Sequence, residues 1–237
     1  MAGLVPMPSK DSLLNKLAII DDEQLLQLRR YLTQIAKQHR LIEGKRIAFD
    51  FQMRDFTGGD VELKNIDKGP SPKRKICSPG FRPHLAWNMD TGAPISFEFR
   101  NGKARASTTV KRFIRELFKK PLGNQAVEHV YLDSEYKAQH VWEFVVDPQN
   151  GLGADLTMCI KQNKKVKKFI DSFLQTNPTW LFYDEDHTCS DKTFHIPITQ
   201  TEKILQCVLK RKESNGNLRC FGSTLKGLYS MGILTRI

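Results

Sequence analysis

Two aspartates in this 237-residue chain stand where a carboxylate needs an explanation. Asp50 falls inside the apolar run KRIAFDF, between Phe49 and Phe51, and Asp133 closes the run AVEHVYL just where a helical pattern begins. A carboxylate taken out of water is costly unless it is hydrogen-bonded, paired or bound to a cation. For Asp133 a helix N-cap is an alternative reason. Mid-strand Asp50 has no capping role open to it, although strand alternation could turn it to solvent. Two carboxylates at strand ends suit a hard divalent ion, Mg²⁺ or Mn²⁺, which takes oxygen ligands and keeps several waters. Two such ions about 3.5–4 Å apart can assist an in-line displacement at phosphorus.

The charge balance points the same way. Thirty-seven Lys and Arg against 26 Asp and Glu leave a formal charge of +11 and a pI near 9.5, which favours a polyanionic partner. Nucleic acid is favoured over an acidic membrane, because the basic residues are spread along the chain rather than gathered on one amphipathic helix. Three clusters could carry phosphate contacts to a nucleic acid: Lys68, Lys73, Arg74, Lys75 and Arg82 in a Pro- and Gly-rich loop beside Phe81; Lys111, Arg112, Arg115, Lys119 and Lys120; and Lys161, Lys164, Lys165, Lys167 and Lys168. For the two helical clusters a solvated charged face is the competing reading.

Other patterns are poorer. His187 and Cys189 follow Asp184, Glu185 and Asp186 without a second ligand pair at zinc spacing, so a solvated loop is expected there. Ser134 lies in no G-x-S-x-G elbow, and NGLGAD opens no helix. Trp87, Trp142 and Trp180 are expected in the core. Five cysteines with no C-x-x-C pair, and a start without basic or apolar signal regions, suggest reduced thiols and a cytoplasmic location.

The elements that must position these groups are readable from periodicity. Residues 9–40 predict two helices, with Ser9 as a cap for the first and Asp21, Asp22 and Glu23 opening the second. From Lys45 the pattern becomes strands: KRIAFDF, then HLAWNM and PISFEF around Asp90-Thr91-Gly92-Ala93 as a hairpin. A helix at TTVKRFIRELFKK, a strand at AVEHVYL, a helix over 135–146, a strand at ADLTMCI and a lysine-rich helix over 164–175 follow. Strands TWLFYDE, TFHIPIT, KILQCVLKRK and NLRCFGS close the reading, the last two joined by Asn215-Gly216. The succession is mixed α/β.

Asp50, the segment PHLAWNMDTGAPISFEFRNGKAR, and VYLDSEY, in which Asp133 and Tyr136 form a D-x-x-Y pattern, together resemble the DDE transposases of bacterial and archaeal insertion sequences, from about Lys45 to Leu228. The resemblance implies a ribonuclease-H-like mixed sheet with flanking helices, divided as a short helical segment 1–44, a core 45–176, and a β-rich insertion with the C-terminus over 177–237. It implies Asp50 and Asp133 as catalytic, metal-binding acids, Mg²⁺ or Mn²⁺ as cofactor, and DNA ends and target as partners, with a homo-oligomer or pairing with a full-length copy. The family's third acid, a glutamate on a late helix, has no counterpart here. Glu213 is the last carboxylate, so a truncated copy is expected, either enzymatically impaired or acting as a DNA-binding competitor. A host nuclease on the same scaffold is a further reading.

Overall fold

The structure, a computed structural model, describes residues 22–51, 54–55, 67–70, 77–119 and 126–225. The chain forms two units, residues 1–40 and 41–237. In the first, helix α1 spans Asp22–Gln38, with Lys37 in its last turn where the helix dipole favours a cation. Arg40, at φ 56°, leaves it in the left-handed region while its N–H donates to the Lys37 carbonyl. The helix expected near Ser9 lies outside the described residues.

The second unit is α/β. Its strands are β1 (Arg46–Phe51), β2 (Arg54–Asp55), β3 (Asp67–Pro70), β4 (Cys77–Asn88), β5 (Pro94–Asn101), β6 (His129–Leu132), β7 (Asp155–Ile160), β8 (Trp180–Asp184), β9 (His187–Ser190), β10 (Phe194–Pro197), β11 (Ile204–Lys212) and β12 (Leu218–Ser223). Helices α2 (Ala106–Lys119), α3 (Gln139–Val146) and α4 (Lys164–Leu174) follow β5, β6 and β7. All twelve described strands join one sheet running β4, β1, β6, β7, β12, β11, β9, β8; β2, β3 and β5 also pair with β4, and β10 with β11. β1 is parallel to β6 and β6 to β7, whereas β4 is antiparallel to both β1 and β5. β12 meets β7 antiparallel, so the strands after residue 177 extend this sheet without a break.

Alternation decides which side of the sheet is covered. In β1, Ile47, Phe49 and Phe51 are buried, and Phe49 meets Phe113 of α2 edge-on at 6.1 Å. Val110, Ile114 and Leu117 of α2, Val130 and Leu132 of β6, and Leu156, Met158 and Ile160 of β7 complete this helix-covered core. Each such aliphatic side chain contributes about 1.5–3 kcal/mol on burial.

Several expectations need correction. The helix expected over 135–146 divides into a 3-10 turn, Ser134–Tyr136, and α3, because Ala138 is extended (φ −79°, ψ 127°) between them. His187 and Cys189 belong to strand β9, and Cys189 is buried by pairing with β8 and β11. Of the three tryptophans only Trp142 is core. Trp87 is 37% exposed, because its register with Ala48 turns it to the side opposite Phe49.

Candidate active site

The register of β1 against β6 places the two aspartates. Ile47 lies opposite Val130, Ala48 opposite Tyr131 and Phe49 opposite Leu132, so one further step brings Asp50 level with Asp133. Neighbouring strands are about 4.8 Å apart. Asp133 keeps an extended backbone (φ −71°, ψ 163°), which continues the alternation past Leu132. Its side chain therefore leaves on the Tyr131 side, and Asp50, alternating with Phe49 and Phe51, leaves on the same side. Both stand at the carboxyl ends of adjacent parallel strands, the rim where open α/β sheets bind ligands.

The next strand continues the row. Leu132 pairs with Met158, which sets Cys159 of β7 beside Asp133. Burial, with the Asp133 charge added, pushes the Cys159 thiol up to about 11, so it is protonated at neutral pH. Further along the same side, His129 hydrogen-bonds Thr157 at 2.8 Å, and the Thr157 hydroxyl donates to Ser223 at 2.8 Å.

Local structure holds Asp133 in place. Its Oδ1 accepts from the Ser134 N–H, the capping bond anticipated for it, and this leaves Oδ2 for a second partner. Two residues on, Tyr136 is fully buried, its hydroxyl 3.1 Å from His84 Nδ1 and its carbonyl accepting from the Trp142 indole at 2.8 Å. His84 Nε2 in turn lies 2.5 Å from Thr109 Oγ1, and the imidazole is stacked between Phe51 and Phe113. Burial drives His84 down to about 4, so this network is uncharged at neutral pH. Burial, and then the charges of Asp50, Asp133 and Glu135, push the Tyr136 phenol well above its ordinary value. The tyrosine of the D-x-x-Y pattern is thus an anchor on the helix-covered side that pins the turn after Asp133.

Glu135 lies between two cations, 3.9 Å from Arg82 and 3.9 Å from Lys161. Arg82 is a strand residue, not part of a loop. Its guanidinium lies 5.4 Å from the Phe51 ring centre, donates to the Ala104 carbonyl, and has a buried Nε with no partner among the described residues. Sequence reading missed Glu135, Cys159 and His84, whose roles rest on partners distant in the chain.

The remaining basic residues separate by what they already touch. Arg112 donates to Glu98 at 2.9 Å, and Lys111 and Arg115 lie over the Phe144 ring at 5.6 and 5.1 Å. Lys164, Lys165, Lys167 and Lys168 are exposed in the first turns of α4, a helix start without an acidic residue. Lys68 is exposed on β3, not in a loop, while Lys73, Arg74, Lys75 and Lys120 lie outside the described residues, as does the Lys119 side chain.

As a metal site the pair is spare. Among the described residues no group of three or more His, Cys, Asp or Glu side chains could hold an ion. Two carboxylates at neighbouring positions fit a cation that draws the rest of its shell from water and phosphate. No described helix is long and apolar enough to cross a membrane.

No family model matches the chain, and neither does any curated protein. Among solved structures, the chain is similar to an endonuclease V of Ciona intestinalis in complex with a 23mer DNA containing an inosine followed by a ribo-adenosine. The identity is 10% and the TM-score 0.32, over 86% of this chain and 83% of that one. So loose a likeness carries no weight for fold or chemistry.

Proposed function

We propose that this chain acts on DNA by metal-dependent phosphoryl transfer, in the form of a transposase of the DDE kind built on a ribonuclease-H-like core. The observation that carries the reading is the level placement of Asp50 and Asp133 on one side of adjacent parallel strands. The strand order supports it: a meander of β1, β4 and β5, then α2, β6, α3 and β7, with β6 and β7 added parallel on the free side of β1. This order is what supports the ribonuclease-H-like core in the proposal.

Asp50 and Asp133 would hold Mg²⁺ or Mn²⁺, which supplies charge stabilisation at the phosphoryl oxygens. The remaining work belongs to the chain. Asp133 is fixed by its bond to Ser134 and by the buried Tyr136, so its free oxygen is held ready rather than recruited. Lys161, at the end of the neighbouring parallel strand, and the lysines of α4 supply phosphate contacts. In the step itself an oxygen of water or of a DNA 3′-hydroxyl bonds to phosphorus, the bridging P–O bond breaks, and the departing oxygen takes up a proton.

The second reading is a DNA-binding protein without turnover, favoured by the lack of a third carboxylate beside the pair among the described residues. Incubation with labelled duplex and Mg²⁺ or Mn²⁺ separates the two. The enzyme reading expects cleavage or joining that Asp50→Asn lowers by at least about a hundredfold, near 2.7 kcal/mol of barrier, with DNA binding retained. Binding with no turnover in the unaltered chain selects the second reading.

A further inference from the structure

Two arginines meet on the helix-covered side of the sheet. Arg82 of β4 lies directly opposite Arg100 of β5, and His84 opposite Glu98, so all four side chains leave on one side. Both arginines are largely out of solvent, Arg82 11% exposed and Arg100 19%. Like charges so placed repel, and a buried cation is costly unless an anion meets it. The carboxylates at hand fall short. Glu98 offers the same oxygen, Oε1, to Arg100 and to Arg112, and its buried Oε2 has no partner among the described residues. Glu135 stands 3.9 Å from Arg82 and is shared with Lys161 at the same distance. Four cations thus share two carboxylates. The Nε atoms of Arg82 and Arg100 are both buried without a partner among the described residues.

A helix start lies beside them. Arg82 donates to the Ala104 carbonyl at 3.4 Å, just before α2 begins at Ala106. The first turn of α2 has no acidic residue, and the N–H groups of Ala106 and Ser107 have no acceptor among the described residues. Such a start adds its own attraction for an anion. Because β5 and β1 are both antiparallel to β4, they run the same way, and α2, which follows β5, opens at the rim where Asp50 and Asp133 stand.

We propose that Arg82, Arg100 and the start of α2 form a pocket for a phosphate group, which, resting on the DNA reading above, is a phosphate of the strand that crosses the rim. Each guanidinium is fixed through an Nη, Arg82 by Ala104 and Arg100 by Glu98, and keeps its Nε for the ligand. An arginine fork matches the spacing of phosphate oxygens. A tetrahedral anion between the two replaces one repulsion with two attractions.

Thermal unfolding of the full chain in inorganic phosphate, against chloride of equal ionic strength, reads the pocket. Phosphate should raise the midpoint in a saturable way. Arg82→Gln should abolish that rise while its midpoint in chloride stays at or above wild type, since Arg100 loses a like-charged neighbour; a purely structural arginine would lose stability in both media. Arg82→Lys, which keeps the charge without the fork, carries the same test should the Gln variant not fold, and needs at least about tenfold more phosphate for half the rise. On a labelled duplex, Arg82→Gln should weaken binding about tenfold and lower the log–log salt slope by about 0.9. A midpoint that answers to phosphate no more than to chloride, or as strongly in Arg82→Gln as in wild type, overturns the pocket. A response to phosphate lost in Arg82→Gln, with DNA affinity unchanged, overturns DNA as its occupant. A wild type that answers to phosphate through these arginines and binds no DNA upholds the pocket and overturns the DNA reading.

Discussion

A single buried imidazole ties the stability of the candidate site to pH. His84 is enclosed by Phe51, Phe113, Tyr136 and Thr109, and burial outweighs the opposing pull of the Glu98 charge in lowering it from 6.5 to about 4. The unfolded chain takes its proton near pH 6.5 and the folded chain only near 4. The stability involved is therefore whole above pH 6.5 and is lost as pH falls toward 4, with a slope approaching about 1.4 kcal/mol per pH unit. Carboxylates titrate in the same range, so the measurement is a difference: denaturant midpoints for wild type and His84→Gln, followed down through that window. The wild type is expected to lose its advantage on acidification, and two parallel curves would remove His84 as the cause. Asp50 was readable in the sequence because a charge between two phenylalanines of a strand is conspicuous. His84 was not, since a neutral imidazole amid apolar neighbours looks like any half-polar strand residue until its partners, 25 and 52 positions away, are known.

At the scale of elements, the row of Asp50, Asp133 and Cys159 depends on where β6 and β7 begin, and the turn between α3 and β7 sets the second of these. Gly151 donates to the Asp147 carbonyl there, and a Cβ on it would stand 1.8 Å from the Phe144 carbonyl oxygen and 2.9 Å from that of Asp147, both backbone atoms that cannot step aside. Gly92, in the β4–β5 turn, has φ +71° but open space around it. Gly151→Ala is therefore expected to cost about 2–3 kcal/mol or more, against about 1 kcal/mol for Gly92→Ala. Thermal unfolding ranks the two; the reverse order would mean the α3–β7 turn is free to shift. Both turns illustrate what a sequence discloses. Asp90-Thr91-Gly92 and Asn215-Gly216 announce their hairpins by turn chemistry alone, and Gly216 is indeed at φ +67°. β9 announces nothing, because His-Thr-Cys-Ser has no apolar alternation and becomes a strand only by lying between β8 and β11. The break at Ala138 is equally silent: the demand that Tyr136 reach His84 bends the chain there, and that demand is tertiary.

For the whole molecule, the charge of +11 sets an expectation about DNA that the described contacts refine. A cation already engaged in the fold adds less to a phosphate than one standing free in solvent. Arg112 is tied to Glu98, and Lys111 and Arg115 lie against Phe144, so much of the α2 cluster is occupied with holding α2 to β5 and α3. The lysines of α4 have no such attachment among the described residues: Asn163 caps the helix by accepting from the Lys165 and Val166 N–H groups, and the lysines are exposed at a helix start where the dipole disfavours positive charge. A placement that costs the free helix something is explained if phosphate neutralises it. Each phosphate contact contributes about 0.9 to the log–log dependence of affinity on salt, so replacing both Lys164 and Lys165 with Gln should flatten that slope by about 1.8 while leaving the unfolding midpoint nearly unchanged. Arg112→Gln should do the opposite, lowering the midpoint, because Glu98 loses a partner, and leaving the slope as it was. Fluorescence anisotropy on a labelled duplex over a salt series, beside thermal unfolding of each variant, reads both quantities. If Arg112→Gln flattens the slope and the α4 double variant does not, the DNA path crosses α2 instead, and Asp50 and Asp133 would be approached from the other end of the rim.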